Sequence, residues 1–265
     1  MTLLSLYSHH NRCQVALKTG NQLFAESIEL TPTISQAMVL VPLIQQVWQQ
    51  ADNPSIDAII TARGPGAFTS LRVTLATAQG LALAFPQAQI FAPTHFEVLG
   101  YAAKQAYKGP ILVLIDSKRG DWYGKIYDDA SDIQVFNPKD LRLFLGKNPD
   151  YRLIADFAID EEFEPFSVMQ QGTAYHPSSS RGAISDVVIQ KNTWMATPSS
   201  RARHDEKPYE MDWNDGHSHN LAVTNFAIAQ LELFEDKNLN SLQTHPQNQQ
   251  LKPYYYYQPA YAKKR

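Results

Sequence analysis

The stretch that decides the fold is "IDAIITARGPGAFTSLRVTLATAQGLALA", residues 56–84. Its first part, residues 56–62, is a continuous apolar run of the kind found in strands buried on both faces. A loop with glycine and proline follows at residues 63–69, and the pattern of residues 70–85 then predicts a helix. A strand, a glycine-rich loop and a helix in this order indicate an α/β protein.

The loop between the strand and the helix allows two interpretations. Gly64 can adopt backbone angles closed to other residues, and such a loop before a helix can present N–H groups to an anion. The spacing, however, matches neither common phosphate-binding glycine motif, and no lysine follows. An anion-binding loop and a structural turn therefore both stay open, and the turn is favoured. The candidate anion-binding residues are Gly64, Gly66, Thr69, Ser70 and Arg72.

The helix behind this loop has a smooth side. Ala76, Gly80 and Ala84 recur at intervals of four residues, so they share one side of the helix. Small side chains let another helix approach closely. Close packing against this chain's own sheet is the alternative, and both can hold on two sides of one helix.

A further amphipathic helix is predicted upstream, over residues 35–51. Its apolar stripe is about 160° wide at helical spacing, and glutamines occupy most of the remainder. Pro42 lies within the pattern and should bend the helix. A stripe this wide can pack on a sheet and still contact another molecule. The stripe consists of Ala37, Leu40, Val41, Leu43, Ile44, Val47, Trp48 and Ala51.

The order of elements predicts a mixed α/β unit followed by a second unit. Three short strands precede the first helix, and a strand follows the second helix. After a helix at residues 95–107, two strands around a polar turn open the second unit. The predicted lobes are residues 1–107 and 108–265, with a polar loop or insertion at about 176–219. The remaining strands are predicted at residues 3–8, 12–18, 21–30, 89–92 and within 111–128, and a last helix at about 219–235.

Composition excludes several classes of protein and site. The 265 residues carry 23 Lys and Arg against 26 Asp and Glu, so no global basic excess points to direct nucleic-acid binding. Cys13 is the only cysteine, which excludes an internal disulfide and a cysteine-based zinc site. No apolar window approaches the roughly 20 residues of a membrane helix, and the N-terminus does not resemble a signal peptide. We expect a soluble, cytoplasmic protein without membrane contact.

Other potentially reactive residues favour structural roles. His9 and His10 lie in a predicted turn, and Cys13 lies in an apolar strand, where a thiol is usually buried. Asp116 and Asp121 flank a polar turn, where a carboxylate can bond its own backbone instead of acting in catalysis. We therefore expect no catalytic residue and no metal ligand. A weaker candidate metal group lies in the polar segment and comprises His204, Asp205, Asp215, His217 and His219.

The stretch 56–84 resembles the signature of the TsaB family, also called YeaZ, of the bacterial tRNA threonylcarbamoyladenosine machinery. Residues 35–51 and 114–128 are similar to further segments of that family, and the resemblance is strong over about 35–130. Ala67 and Ser70 depart from the usual serine and glycine. The matching residues of the signature are Gly64, Pro65, Gly66, Phe68, Thr69, Leu71, Arg72, Ala76, Ala78, Gly80, Leu81 and Ala82.

One departure from the family concerns the end of the first strand. The family usually reads Asp-Thr-Ser there, the remnant of an actin-like phosphate loop, and this chain has Tyr7, Ser8 and His9. The family's helix-opening His-Ser is Ile34-Ser35 in this chain. These changes argue against nucleotide hydrolysis and leave the helix surfaces intact.

The resemblance implies an actin/Hsp70/sugar-kinase-like (ASKHA) fold, an α/β fold with two related lobes. It also implies a non-catalytic subunit that pairs with TsaD, the subunit that carries metal and transfers threonylcarbamoyl to the tRNA adenosine beside the anticodon. An ATPase, TsaE, joins that complex, tRNA is reached through it, and family members also form homodimers. No cofactor of the chain's own is expected, although a nucleotide could bind between the lobes or between subunits.

In the family, the pairing surface is built from the two helices that correspond to residues 35–51 and 70–85. We expect these helices to leave an apolar seam uncovered in the isolated chain. The predicted interface residues are Leu40, Leu43, Val47, Leu71, Leu75, Ala76, Gly80 and Ala84.

Two alternative functions remain open at this point. An ATP-binding sugar-kinase-like or ATP-hydrolysing enzyme of the same fold needs an acidic residue near the phosphates, where Tyr7 stands. A peptidase needs a nucleophile with a base, or a metal motif, and neither is recognised in the sequence.

Overall fold

The computed structural model describes residues 1–9, 12–168, 187–188, 226–236 and 244–245. The candidate metal group around His204–His219 lies outside the described residues, as does nearly all of the predicted polar segment 176–219. The described strands are β1 Thr2–His9, β2 Arg12–Thr19, β3 Gln22–Glu29, β4 Ala58–Thr61, β5 Gln89–Phe91, β6 Ile111–Asp116, β7 Trp122–Ile126, β8 Gln134–Phe136, β9 Arg152–Ala155, β10 Val187–Val188 and β11 Thr244–His245. The described α-helices are α1 Gln36–Gln50, α2 Phe68–Ala84, α3 His95–Ala106, α4 Pro138–Lys147 and α5 Phe226–Asp236, and a 3₁₀ helix spans Glu161–Phe166.

The first sheet joins seven of the described strands in the order β10-β3-β2-β1-β4-β5-β11. Strands β1, β2 and β3 form an antiparallel meander, as the short turns between them predict. Strand β4 lies parallel to β1, and β5 lies parallel to β4, because a helix returns the chain to the same end of the sheet each time. The predicted order of three strands, helix, strand, helix and strand is therefore confirmed.

The second sheet repeats the core of the first. Its described strands follow the order β8-β7-β6-β9, with β6 antiparallel to β7, β7 antiparallel to β8 and β6 parallel to β9. Helix α4 lies between β8 and β9 in the chain, as α1 lies between β3 and β4. Two copies of one strand–helix pattern are the hallmark of the actin/Hsp70/sugar-kinase-like fold, so the predicted fold class is confirmed.

Each face of the first sheet carries its own layer of helices. Alternate side chains of a strand point to opposite faces, so Leu4 and Leu6 pack with α1 and α2 while Leu3 and Tyr7 pack with α3 and α5. The core on the α3 side continues into β6 and β9 of the second sheet. Helix α3 therefore lies between the two sheets and joins them.

Helix α5 comes from the chain segment assigned to the second lobe, and it packs on the first sheet. Ser5 Oγ donates to Gln230 Oε1 at 2.7 Å in the buried core, and Tyr101 Oη donates to Asp236 at 2.5 Å. Lys18 Nζ lies 2.6 Å from Glu235 at the surface. The lobe boundary near residue 107 stays a prediction, and the first sheet also includes β10 and β11 from the later part of the chain.

Gly100 of α3 lies against the residue that follows β7. A Cβ atom at this position would lie 1.9 Å from the ring of Tyr127, which directly follows β7. Only a glycine lets that ring approach the helix backbone so closely.

The structural roles predicted for Cys13 and for the aspartates of the polar turn agree with the structure. Cys13 is fully buried, and burial raises the pKa of its thiol to about 12. Asp116 Oδ1 accepts the Lys118 backbone N–H at 2.6 Å, and Asp121 accepts a hydrogen bond from the Ser117 hydroxyl. Both carboxylates thus stabilise the turn between β6 and β7.

Candidate functional site

Helices α1 and α2 carry almost no charge, although one side of each is exposed. The 15 residues of α1 include no charged side chain, and the 17 residues of α2 include only Arg72. A surface helix normally presents charged and polar residues to water. The pair therefore has a composition typical of helices that another surface covers.

Four large apolar side chains on these two helices are exposed. Met38 and Val41 of α1 are 60% and 48% exposed, and Phe68 and Leu83 of α2 are 50% and 85% exposed. The small residues Ala76, Gly80 and Ala84 are exposed on α2 as well. We call these seven residues the outer face. Scattered exposed apolar residues are ordinary, but four on one helix pair with a single charge are not.

The predicted interface needs a correction in five of its eight residues. Leu40, Leu43, Val47, Leu71 and Leu75 are buried in this chain's own core. They lie at the centre of each apolar stripe. The sheet packs against that centre because this arrangement removes the most apolar surface from water. The seam that stays uncovered is formed by the flanks of the stripes. Which of its residues a partner contacts stays a prediction.

Sequence reasoning missed three residues of the outer face and left a fourth unused. Met38, Phe68 and Leu83 were not proposed as interface residues, and Val41 was recognised only as part of the wide stripe. The available signal was the near absence of charge on the two helices. Periodicity indicates which residues share a side, and it does not indicate how far the sheet reaches around the helix.

Among the described residues, Gly80 has no neighbour that requires a glycine. A Cβ atom there would have no described heavy atom within 4 Å, and the residue lies inside a helix, where glycine costs about 1 kcal/mol relative to alanine. Gly100, in contrast, is required by the ring of Tyr127. A close approach of another molecule to α2 would likewise require a glycine at position 80.

The starts of α1 and α2 are joined by a buried glutamine. Gln36 Nε2 donates to the Ser70 carbonyl at 3.1 Å and to Thr74 Oγ1 at 2.6 Å. Thr74 Oγ1 in turn donates to the Ser70 carbonyl at 2.8 Å. A displacement of the start of α2 would therefore also displace α1.

The glycine loop before α2 is held from behind by the start of α3. Gly64 has a φ of 107°, which favours glycine, and its carbonyl accepts the His95 N–H at 2.9 Å. The Arg63 N–H donates to the Pro93 carbonyl at 2.9 Å. His95 Nδ1 lies 2.5 Å from the Pro65 carbonyl oxygen.

Only some of the candidate anion-binding residues have side chains that are exposed at this loop. Thr69 is exposed, whereas the side chain of Ser70 is buried. The guanidinium of Arg72 stacks over the Phe68 ring, 3.7 Å from its centroid. The loop carbonyls of Gly64 and Pro65 point to His95, so part of the loop is used internally. An anion site at this loop stays a prediction.

Tyr7 lies near the end of β1, at the position where the family resemblance implies an aspartate. It is buried, and burial raises the pKa of its hydroxyl well above the ordinary value, with a further contribution from Asp156. The side chain is therefore neutral at physiological pH and cannot replace an ionised carboxylate. Its ring lies 5.1 Å from that of His95, centroid to centroid.

Two further features are absent from the part of the chain that the structure describes. Within that part of the chain, no group of three His, Cys, Asp or Glu side chains is placed to hold a metal ion. Nor does any described helix have the length and apolar character needed to cross a membrane.

The duplicated strand–helix pattern defines an α/β protein of the actin/Hsp70/sugar-kinase-like class, and the outer face is its candidate interaction surface. Residues 35–139 match the family model described as "TsaD: tRNA N6-adenosine threonylcarbamoyltransferase", and this region includes α1 and α2. The chain is also 29% identical over 129 residues to the tRNA threonylcarbamoyladenosine biosynthesis protein TsaB of Escherichia coli (strain K12). The resemblance to the TsaB (YeaZ) family is therefore confirmed.

The similarity extends over part of each protein. The match covers 48% of this chain and 55% of the Escherichia coli protein, so the chain spans about half the length of that curated relative. Among solved structures, YeaZ from Pseudomonas aeruginosa is similar with a TM-score of 0.46 and 26% identity, over 52% of this chain and 68% of that chain. A glucokinase from an Antarctic psychrotroph is similar with a TM-score of 0.30 and 13% identity, over 57% and 58%.

Proposed function

We propose that this chain is a non-catalytic subunit that binds a TsaD-type transferase during formation of threonylcarbamoyladenosine on tRNA. The observation that carries the proposal is the outer face, in which four large apolar side chains are exposed on two helices that have one charge between them. These helices lie within the region that matches the TsaD family model. The curated relative is named for the biosynthesis of the same modified nucleoside.

A partner role needs no reactive group in this chain. The subunit would contribute apolar area to the complex and hold the transferase in its active arrangement. Gly80 fits this role, because a helix of the partner could approach α2 closely along Ala76, Gly80 and Ala84. A TsaE-like ATPase and tRNA would join through the complex, a homodimer would use the same face, and any nucleotide would bind between lobes or subunits.

The alternative of an ATP-hydrolysing enzyme is less well supported. Enzymes of this fold need an ionised carboxylate near the phosphates, and Tyr7 stands at that position with a neutral, buried hydroxyl. A measurement of ATP turnover by the purified chain alone distinguishes the two functions. Robust turnover would favour the enzyme.

The binding experiment uses two exposed leucines as a matched pair. Leu83 lies on the outer face and is 85% exposed. Leu143 lies on helix α4, between β8 and β9 in the chain, and is 56% exposed. We expect Leu83→Arg to weaken the complex with the same organism's TsaD-type subunit by about a hundredfold, because a charge would be buried in an apolar contact. Leu143→Arg should leave the affinity unchanged.

Titration calorimetry or analytical ultracentrifugation measures both affinities, and thermal unfolding confirms that both variants fold. A wild-type chain that forms no complex at micromolar concentration would refute the proposal. Equal affinities of the wild type and Leu83→Arg would refute the choice of face. Reconstituted tRNA modification with and without the chain then tests whether the complex serves that reaction.

A further inference from the structure

We infer that His95 is a positioning residue, which holds the glycine loop and thereby sets the start of α2 and of the outer face. The inference rests on the proposed function for its effect on partner binding. Its effect on the loop can be measured in the isolated chain.

Hydrogen bonds to the segment before α3 hold the glycine loop. Between β4 and α2 the chain is irregular, and the residue before α2, Ala67, makes no side-chain cap. Three hydrogen bonds tie the loop to residues 93–95 instead. They join Arg63 N to Pro93 O at 2.9 Å, His95 N to Gly64 O at 2.9 Å, and His95 Nδ1 to Pro65 O at 2.5 Å.

The contact with Pro65 fixes the tautomer of His95. A carbonyl oxygen can only accept a hydrogen bond, so Nδ1 of His95 must carry the hydrogen that is shared with Pro65. The side chain is buried, and the ring of Tyr7 packs against it. The imidazole therefore has a fixed orientation and one assigned donor.

The glycine loop leads directly into the outer face. Phe68, the first residue of α2 and the first residue that this helix contributes to the outer face, follows Pro65 by three positions. Gln36 then ties the start of α1 to Ser70. A loop released from His95 would lose the fixed position of both helix starts, and with it the alignment of Met38 and Phe68.

Two substitutions separate the hydrogen bond from the packing. His95→Leu fills the site with an apolar side chain and removes the donor, so the Pro65 carbonyl loses this hydrogen bond. His95→Asn restores an amide N–H close to the position of Nδ1. We expect His95→Leu to accelerate amide hydrogen exchange over residues 63–71 and to weaken partner binding, each by about tenfold. His95→Asn should recover most of both losses.

Val98→Ala is the matched control, because Val98 is fully buried on the same helix and makes none of the three bonds to the loop. It should lower the melting temperature while the loop exchange and the affinity stay near the wild-type values. The ¹⁵N shift of His95 Nδ1 should report a protonated nitrogen at neutral pH.

Four results would overturn the inference. These are unchanged loop exchange in His95→Leu, no recovery in His95→Asn, an equal effect of Val98→Ala on the loop, or an unprotonated Nδ1. If the wild-type chain binds no TsaD-type subunit, the proposed function fails, and the loop exchange still decides the role of His95.

Discussion

Helices α1 and α4 occupy equivalent places in the two repeated units, and their surfaces are opposite in character. Helix α1 has no charged residue and exposes Met38 and Val41. Helix α4 begins with an Asn137 cap that accepts the Asp140 N–H at 3.0 Å, and its Arg142 forms a bidentate ion pair with Glu162. One topology therefore supports a helix with an exposed apolar surface and a helix adapted to water.

The difference shows that fold and surface are specified separately. The buried side of each helix follows the sheet beneath it, so Leu40 of α1 and Leu141 of α4 are both buried. The other side is free to vary, because it contributes little to folding. An interaction site can thus be read from the outer residues only after the inner ones have been assigned.

The largest expected effect comes from comparing alanine substitutions at a buried and an exposed residue of α1. Leu40→Ala should reduce the free energy of unfolding by about 2–5 kcal/mol, because it leaves a cavity in the core. Met38→Ala should change it by no more than about 0.5 kcal/mol, because Met38 is exposed. Urea unfolding of the isolated chain measures both values. A large loss in Met38→Ala would mean that this chain already covers the outer face.

A smaller effect distinguishes the two helical glycines. Gly100→Ala should destabilise the chain by about 1–3 kcal/mol, because the new methyl group collides with the Tyr127 ring. Gly80→Ala should stabilise it by about 0.5–1 kcal/mol through helix propensity, because no atom of the described residues lies near its Cβ position. Thermal and urea unfolding check the opposite signs. Destabilisation by Gly80→Ala would show an internal contact at the outer face.

The smallest effect concerns the charge beneath α1. Glu26 of β3 accepts hydrogen bonds from Gln46 Nε2 at 2.7 Å and Gln50 Nε2 at 3.0 Å, and burial raises the pKa of its carboxyl despite these bonds. A raised pKa in the folded state means that stability is greatest below the ordinary pKa and falls as the pH rises through the raised value. We therefore expect Glu26→Gln to be more stable than the wild type near pH 7, with the difference shrinking towards about pH 4.

Melting temperatures of the two proteins across this pH range test that expectation. A difference that grows as the pH falls would show that the carboxylate is net stabilising and would reverse the assigned direction of the pKa shift.

Much of the fold could be predicted because its signals are local. The apolar run before Gly64 and the periodic helix after it predicted β4 and α2, and short turns predicted the meander. The elements α4 and β9 were not predicted, although Asn137 and Pro138 form a recognisable helix start. The duplication of the sheet therefore became visible only when the strands were paired.

The candidate site was predicted less well, because its decisive contacts join distant parts of the chain. His95 lies 30 residues from Pro65, and no spacing rule connects a histidine to that carbonyl. Leu40 and Met38 differ by two positions and lie inside and outside the core, since the sheet covers only part of the wide stripe. Local patterns cannot determine either relation.

The buried thiol of Cys13 has a practical consequence for mapping the outer face. Maleimides and disulfide reagents react with thiolates, and a buried thiol with a pKa of about 12 offers almost none at neutral pH. Because no other cysteine is present, a Leu83→Cys variant would carry one reactive label site without any background substitution. Crosslinkers or fluorophores attached there would report directly on what approaches α2.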